Sequence, residues 1–131
     1  MSNALKILIV DDDPVVLEIA RIVLEGLGHR VCKREEPLGT TAVIVREQPD
    51  VVLVDVYMPV IPGDQLIRTI KSGLTLTGGK EPAFILYSGA TEDELERLVK
   101  ESGADGAIRK AGDALDFAAD FAHMLGQLPL N

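Results

Sequence analysis

Five polar residues that could carry chemistry lie at the ends of short apolar or strand-forming runs of the sequence. They are Asp11, Asp12, Asp55, Ser88 and Lys110. Brought to one place, three carboxylates would repel one another by roughly 4 kcal/mol per pair at about 4 Å, for an effective dielectric constant of about 20. A hard divalent cation with oxygen ligands would offset that repulsion, and magnesium is the usual choice. These residue types therefore indicate a metal site.

The same residue types could support transfer of a phosphoryl group. A magnesium ion and the ammonium of Lys110 would neutralise the equatorial oxygens of the transferring group, and the Ser88 hydroxyl could hydrogen-bond one of them. Asp55 would be the nucleophile and would form an acyl phosphate. The structural alternatives are a polar turn at a helix start for Asp11 and Asp12, and a solvated lysine for Lys110.

The rest of the sequence predicts alternating strands and helices that would position these residues. Runs with β-branched residues predict strands, and apolar residues at helical spacing predict the helices between them. The predicted strands are Leu5–Val10, Arg30–Arg34, Val51–Val54, Ala83–Tyr87 and Gly106–Arg109. The first predicted helix has Asp13 as its cap and Pro14 in its first turn, and it ends at Gly26 to Gly28. The other predicted helices are Leu38–Glu47, Asp64–Ser72, Glu92–Glu101 and Asp113–Leu125. The segment Gly73–Pro82 is predicted to be a solvated loop.

Five strand–helix units in a chain of this length predict an α/β fold. Parallel strands need crossover connections, which are right-handed and place helices on both faces of the sheet. In open sheets of this kind the ligand site lies beyond the carboxyl ends of the strands. The five polar residues should therefore meet at one edge of the sheet.

The composition favours one globular domain. The chain has 131 residues, of which 47% are hydrophobic and 26% charged, and its net charge of −8 argues against binding a nucleic-acid backbone. A single cysteine, Cys32, excludes an internal disulfide. No run has the length of a membrane span and no leader is evident, so we expect a cytoplasmic protein without membrane contact. Residues 1–4 resemble a vector remnant or a disordered N-terminus.

Taken together, the motifs resemble those of response-regulator receiver domains. The resemblance rests on the apolar run before the acidic pair, on Asp55 followed by Met58, Pro59 and Gly63, on Ser88 after its strand, and on Lys110. It covers Leu5 to Leu125. It implies a flavodoxin-like, doubly wound sheet of five parallel strands in the order 2-1-3-4-5 with five helices, a receiver domain over 5–126 and a tail over 127–131.

The resemblance also implies a role for each site residue. Asp55 would be phosphorylated, with help from Ser88 and Lys110. Magnesium would be bound by Asp11, mainly through water, by Asp12 directly, by Asp55, and by the main-chain carbonyl of Tyr57. Such a domain is a signalling module rather than an enzyme, and its own chemistry is limited to self-phosphorylation and self-dephosphorylation. We expect the self-dephosphorylation to be slow, because neither Tyr57 nor Ala90 offers a carboxylate or an amide to orient a water.

The partners that the resemblance implies are other signalling proteins. A histidine kinase or a histidine phosphotransfer protein would supply the phosphoryl group, and an output protein or domain that the sequence does not identify would respond. A phosphorylation-dependent dimer is a further expectation. No output segment follows Leu125, so we expect either a stand-alone receiver or a piece of a longer regulator.

Three positions depart from the pattern of the family. Ala111 stands where proline, often after a cis bond, follows the lysine; a cis bond before a non-proline residue costs about 2.5–4 kcal/mol, so this loop should differ. Ala107 replaces the usual aromatic residue that moves with the hydroxyl residue. Gly89 replaces the common alanine and should loosen its loop.

Two other functions are compatible with parts of the sequence. The run Asp11–Val15 also fits the first motif of haloacid-dehalogenase-like phosphatases, with Asp11 as nucleophile, but Asp113 and Asp116 follow Lys110 too closely to supply their later acidic motif. A receiver-like interaction module that works without phosphorylation is the second alternative. Ala107 and Ala111 favour it, whereas the complete acidic set disfavours it.

Overall fold

The structure, a computed structural model, describes residues 4–110 and 112–128, and there the chain alternates strand and helix throughout. The strands are β1 (Lys6–Val10), β2 (Arg30–Arg34), β3 (Val51–Asp55), β4 (Ala83–Ser88) and β5 (Gly106–Arg109). The helices are α1 (Pro14–Gly26), α2 (Thr40–Glu47), α3 (Gly63–Thr77), α4 (Glu92–Ser102) and α5 (Ala114–Leu125). None of these helices is both long and apolar enough to cross a membrane.

The five strands form one parallel sheet in the order β2-β1-β3-β4-β5, which confirms the predicted order and fold class. The register aligns the carboxyl ends of neighbouring strands: Val10 pairs with Val54, and Asp55 pairs with Tyr87. On the far side of β4, Ser88 pairs with Arg109. This alignment brings residues from distant parts of the sequence to the same edge of the sheet.

Each face of the sheet has its own core because side chains alternate along a strand. On β1, Ile7 and Ile9 belong to the core under α1 and α5, whereas Leu8 and Val10 belong to the core under α2, α3 and α4. Burying one such side chain fully stabilises the fold by about 1.5–3 kcal/mol. The central strands β1 and β3 are therefore covered on both faces and give the site a rigid base.

Helices α1 and α5 start near the edge of the sheet that is formed by the carboxyl ends of the strands, and side chains cap both helices. The Asp13 carboxylate accepts a hydrogen bond from the Val15 amide at 2.9 Å, and Pro14 opens α1. This confirms the predicted cap. At α5, Asp113 and Asp116 form a reciprocal capping box.

Two predicted boundaries differ from the structure by more than one residue. Helix α3 continues through Thr77, across half of the predicted Gly73–Pro82 loop, because Leu74 is buried in the core and Gly73 lets α3 approach Thr41 of α2. Burial of Leu74 offsets the roughly 1 kcal/mol that a glycine costs inside a helix. Helix α2 begins two residues later than predicted, since Gly39 has a positive φ of 85° and interrupts the helical backbone.

Some predictions about the chain are not settled by the fold. The domain bounds of 5–126 stay a prediction. Residues 1–3 of the predicted vector remnant, residues 129–131 of the predicted tail and Ala111, where the loop was predicted to differ, lie outside the described residues.

Candidate functional site

Three aspartates meet at the carboxyl edge of the sheet. Asp11 directly follows β1 and is 1% exposed, while Asp55 ends β3 and is 6% exposed. Asp12, the next residue after Asp11, is exposed. One carboxylate oxygen from each of the three lies within 4.8 Å of the others. A cluster of hard oxygen donors, two of them buried, is the kind of site that divalent cations with oxygen ligands occupy.

Lys110 places its ammonium between two of these carboxylates. Its Nζ atom lies 3.2 Å from Oδ2 of Asp11 and 3.2 Å from Oδ1 of Asp55. Burial lowers the pKa of Lys110, but the two carboxylates raise it more, so that the net shift is upward. Lys110 therefore carries a positive charge at neutral pH.

Asp11 is held by its local chain as well as by Lys110. Its Oδ1 atom accepts a hydrogen bond from the Asp13 amide at 2.9 Å. Burial raises the pKa of the Asp11 carboxyl, and the repulsion from Asp55 adds to the rise, while the Asp13 amide and Lys110 oppose it. Both carboxylate oxygens of Asp11 thus have a partner in the protein.

The chain around Asp55 is fixed by a close backbone contact. A Cβ atom added to Gly63 would overlap the main-chain carbonyl of Asp55, so only glycine allows α3 to start there. The Gly63 amide donates to the Val56 carbonyl at 2.9 Å, and the Tyr57 amide lies 3.4 Å from Oδ1 of Asp55. The first two contacts fix the main chain at the end of β3, and the third holds the Asp55 carboxylate.

Ser88 reaches the same edge but engages different partners. It is fully buried, and its hydroxyl oxygen accepts a hydrogen bond from the Ala90 amide at 3.2 Å. Its main-chain carbonyl accepts one from the Lys110 amide at 2.7 Å. The structure therefore brings Asp11, Asp12, Asp55 and Lys110 into one cluster, with Ser88 beside it on β4 and its hydroxyl directed into the loop before α4.

Ala107 and Gly89, two of the positions predicted to differ, have different surroundings. Ala107 packs against the core under α4, and a groove of about 620 Å³ runs beside it between α4, β5 and α5. The methyl group of Ala107 lines part of this groove. At Gly89, an added Cβ would meet nothing within 4 Å and φ is not positive, so the packing around this position does not require glycine.

The structure shows two contacts at the site that the sequence did not predict. The Tyr57 hydroxyl donates to the Glu94 carboxylate at 3.0 Å, which links the loop after β3 to α4. The Lys110 ammonium lies 4.9 Å from the centre of the Tyr87 ring. Strand alternation could have indicated the second contact, because Tyr87 directly precedes Ser88 and pairs with Asp55.

Comparison with known proteins gives one family. A model of the response regulator receiver domain matches residues 7–120. The phosphate regulon transcriptional regulatory protein PhoB of Pseudomonas aeruginosa is 33% identical over 104 residues, which are 79% of this chain and 44% of PhoB. The DNA-binding dual master transcriptional regulator RpaA of Synechocystis is 26% identical over 114 residues, 87% of this chain and 46% of RpaA. The chain spans less than half the length of either relative.

Solved structures show the same architecture. The chemotaxis protein CheY4 of Vibrio cholerae, crystallised at low pH, superimposes with a TM-score of 0.79 and 21% identity over 95% of this chain and 99% of that one. At this level of identity the likeness concerns the fold, and it agrees with the five-stranded sheet described above.

Proposed function

The chain belongs to the response regulator receiver domain family of two-component systems, and on that premise we propose that Asp55 accepts a phosphoryl group from a histidine kinase or a histidine phosphotransfer protein. The observation that carries this proposal is the cluster of Asp11, Asp12 and Asp55 with Lys110 at the carboxyl edge of the sheet. Such a cluster supplies a nucleophile, oxygen ligands and a fixed cation together.

The site suits a magnesium ion. Three ionised carboxylates and one ammonium leave a formal charge of −2, which a divalent cation would cancel. We propose that Asp11, Asp12, Asp55 and the main-chain carbonyl of Tyr57 hold it. When bound, the ion would supply positive charge close to the phosphoryl oxygens. Asp12 is exposed and would bind the ion directly. Both carboxylate oxygens of Asp11 already have protein partners, so Asp11 would bind the ion mainly through a water molecule.

The residues of the chain would then divide the work of phosphoryl transfer. A carboxylate oxygen of Asp55 attacks phosphorus as the bond from phosphorus to the donor's imidazole nitrogen breaks. The electron pair of that bond stays with the imidazole, and the product is an aspartyl phosphate. Lys110 would exchange its contact with Asp55 for a phosphoryl oxygen. The Ser88 hydroxyl would leave the Ala90 amide and donate to another phosphoryl oxygen.

The surface beside the site is suited to a protein donor. Val15, Ile19 and Ile22 are each at least half exposed on α1, at spacings of four and three residues that place them on one face. Because α1 begins next to Asp12, a helix packed on this face would lie beside the cluster of carboxylates. We propose that this apolar face of α1 contacts the donor protein, in the cytoplasm.

Mapping the phosphorylated residue tests the proposal directly. The protein is incubated with a small phosphodonor and magnesium, the acyl phosphate is trapped by hydride reduction, and the modified residue is found by mass spectrometry. We expect the label on Asp55, and its loss in Asp55→Asn, because an amide lacks the attacking oxygen. Label on another carboxylate in that variant would show that Asp55 is not the nucleophile.

The same experiment separates the two alternative functions. Label on Asp11 would indicate a haloacid-dehalogenase-like phosphatase, although Asp13, which that motif would need for catalysis, caps α1 instead. No label, together with no spectral change on adding beryllofluoride and magnesium, would indicate an interaction module that works without phosphorylation.

A further inference from the structure

The Lys110 side chain has an aromatic neighbour that the proposed chemistry does not use. The Lys110 ammonium lies 4.9 Å from the centre of the Tyr87 ring, within the range of about 6 Å at which a cation is attracted to an aromatic face. The ring is half-buried, so that water screens this attraction less than it would at an open surface.

Strand register explains why Tyr87 is there. Tyr87 pairs with Asp55 on β3 and with Ile108 on β5, which puts its side chain on the same face of the sheet as Asp55. Ser88, the next residue, faces the opposite way. The side chains of Tyr87 and Ser88 thus lie on opposite faces of the sheet, both at the carboxyl end of β4.

The ring of Tyr87 is held in place by a second aromatic ring, on α5. It packs against Phe117 of α5 with the ring centres 4.9 Å apart and the planes 31° apart, and Phe117 belongs to the core beside Phe121. A ring packed against a buried phenylalanine has little freedom to turn. It therefore offers Lys110 a support that stays in one place.

Such a support matters because the lysine side chain is long and flexible. Ordering it costs more rotamer entropy than ordering most other side chains. Its two carboxylate partners also change during the proposed reaction, since Asp55 loses its carboxylate charge when it becomes an acyl phosphate. The ring keeps its attraction for the ammonium before and after that change.

We infer that Tyr87 is a positioning residue, which holds the Lys110 ammonium at the site through the face of its ring. The inference rests on the proposed function, because Lys110 is assigned there to the transferring phosphoryl group. Within the described residues no hydrogen bond involves the Tyr87 hydroxyl, so the ring and not the hydroxyl should carry the effect.

Substitution of Tyr87 tests this inference. We expect Tyr87→Leu to slow labelling of Asp55 by a small phosphodonor by on the order of 3- to 10-fold, as loss of a partly desolvated cation–π contact allows. Tyr87→Phe should restore most of the rate. Tyr87→Met replaces Tyr87→Leu if the leucine variant does not fold.

A double-mutant cycle separates positioning from general support of the fold. In a Lys110→Ala background, Tyr87→Leu should have no further effect on the labelling rate, because no ammonium remains to be held. A second readout, the NMR chemical shift of the Lys110 ε-methylene protons, needs neither magnesium nor phosphodonor. The ring current of the aromatic side chain should shift these protons upfield in the wild type and in Tyr87→Phe, but not in Tyr87→Leu.

The labelling results distinguish failure of the proposed function from failure of the inference about Tyr87. If the wild type takes no label at all, the proposed function is wrong. If the wild type is labelled at Asp55 but Tyr87→Leu is labelled equally fast, or is slowed equally in both backgrounds, only the inference about Tyr87 is wrong. Unshifted Lys110 protons in the wild type would overturn it as well.

Discussion

At the scale of single residues, the carboxylates of the site differ in how many protein partners they have. Asp11 uses one oxygen for the Asp13 amide and the other for Lys110, and burial raises the pKa of its carboxyl. Asp12 is exposed and has no hydrogen bond or ion pair within the described residues. The two neighbours are therefore suited to different tasks, with Asp11 fixed by the fold and Asp12 available to a ligand.

Tyr57 is predicted to slow the loss of phosphate from Asp55. Hydrolysis of the acyl phosphate needs a water in line with the bond to Asp55. Tyr57 follows Asp55 by two residues, and its hydroxyl is bonded to Glu94 of α4, so that its side chain links the loop after β3 to α4 beside the site. Neither Tyr57 nor Ala90 offers a carboxylate or an amide side chain to orient a water.

We expect Tyr57→Asn to speed dephosphorylation by on the order of tenfold, since positioned acid–base help is worth about 10²–10⁴-fold and only part of that applies here. The decay of purified phosphoprotein in magnesium measures it. Tyr57→Phe is the control: it keeps the ring but not the bond to Glu94, and should decay nearly as slowly as the wild type. An unchanged or slower decay in Tyr57→Asn would mean that Tyr57 does not shield the bond.

At the scale of elements, local sequence predicted most of the fold. The five strands and their parallel arrangement were predicted from short apolar runs and crossover rules, because buried parallel strands have little tolerance for polar residues. The order of the strands in the sheet came from the resemblance to receiver domains. The error in α3 had a tertiary cause. Gly73 and the run after it read as a loop, but Leu74 is buried in the core and Gly73 fits against Thr41 of α2. No local pattern reveals that contact.

Part of the site could also be predicted from the order of the strands and helices. Residues at the carboxyl ends of parallel strands must come together, so Asp11, Asp55 and Lys110 could be placed from the order of the elements alone. The contact between Tyr57 and Glu94 joins a loop and a helix 37 residues apart. It depends on how α4 lies against the loop after β3, which the sequence pattern does not specify.

Two glycines near the site should differ sharply in their tolerance of alanine. Gly63→Ala would drive a methyl group into the Asp55 carbonyl, so we expect a loss of at least about 1–3 kcal/mol in the free energy of unfolding. Gly89→Ala is the matched control and should stay within about 0.5 kcal/mol of the wild type, because nothing lies near its added methyl group. Denaturant unfolding measures both. Similar values for the two variants would contradict the close approach at Gly63.

At the scale of the whole molecule, His29 connects the far end of β1 to α5. Its Nδ1 atom accepts a hydrogen bond from the Leu5 amide at 3.0 Å, and its ring lies edge-on to Phe121. Only the neutral imidazole can accept that bond, and burial lowers the pKa of His29 below its usual value. The folded state therefore prefers the unprotonated ring.

Stability should accordingly fall as the solution becomes acidic. The contribution of neutral His29 is fully present above its unfolded pKa, about 6.5, and is lost as the pH falls through the lower pKa of the folded state. We expect the melting temperature of the wild type to drop more between pH 8 and pH 5 than that of His29→Gln, in which this position does not titrate. Parallel curves for the two proteins would show that His29 does not contribute.

If Asp55 is phosphorylated as proposed, we expect the small residue on β5 to limit how far the structural change extends. Ala107 has no ring that could swing between positions. The Ser88 hydroxyl holds the Ala90 amide, and Arg109 of β5 donates to the Ala90 carbonyl at 3.0 Å. If Ser88 turns towards a phosphoryl group, the Ala90 amide is released while Arg109 can keep its bond. The change should then stay close to the loop before α4.

Hydrogen exchange with and without beryllofluoride and magnesium measures this distribution. We expect the largest changes in the loops after β3 and β4, residues 56–62 and 89–91, and small changes on β5 and α5. Asp55→Asn under the same conditions is the control and should show none of them, because the analogue then has no carboxylate to bind. The largest change on β5 and α5 would mean that the signal leaves the site by another route. It would also show that Ala107 does not keep the structural change near the loop before α4. The packing of α5 against β5 would then transmit the change even though position 107 has no aromatic ring.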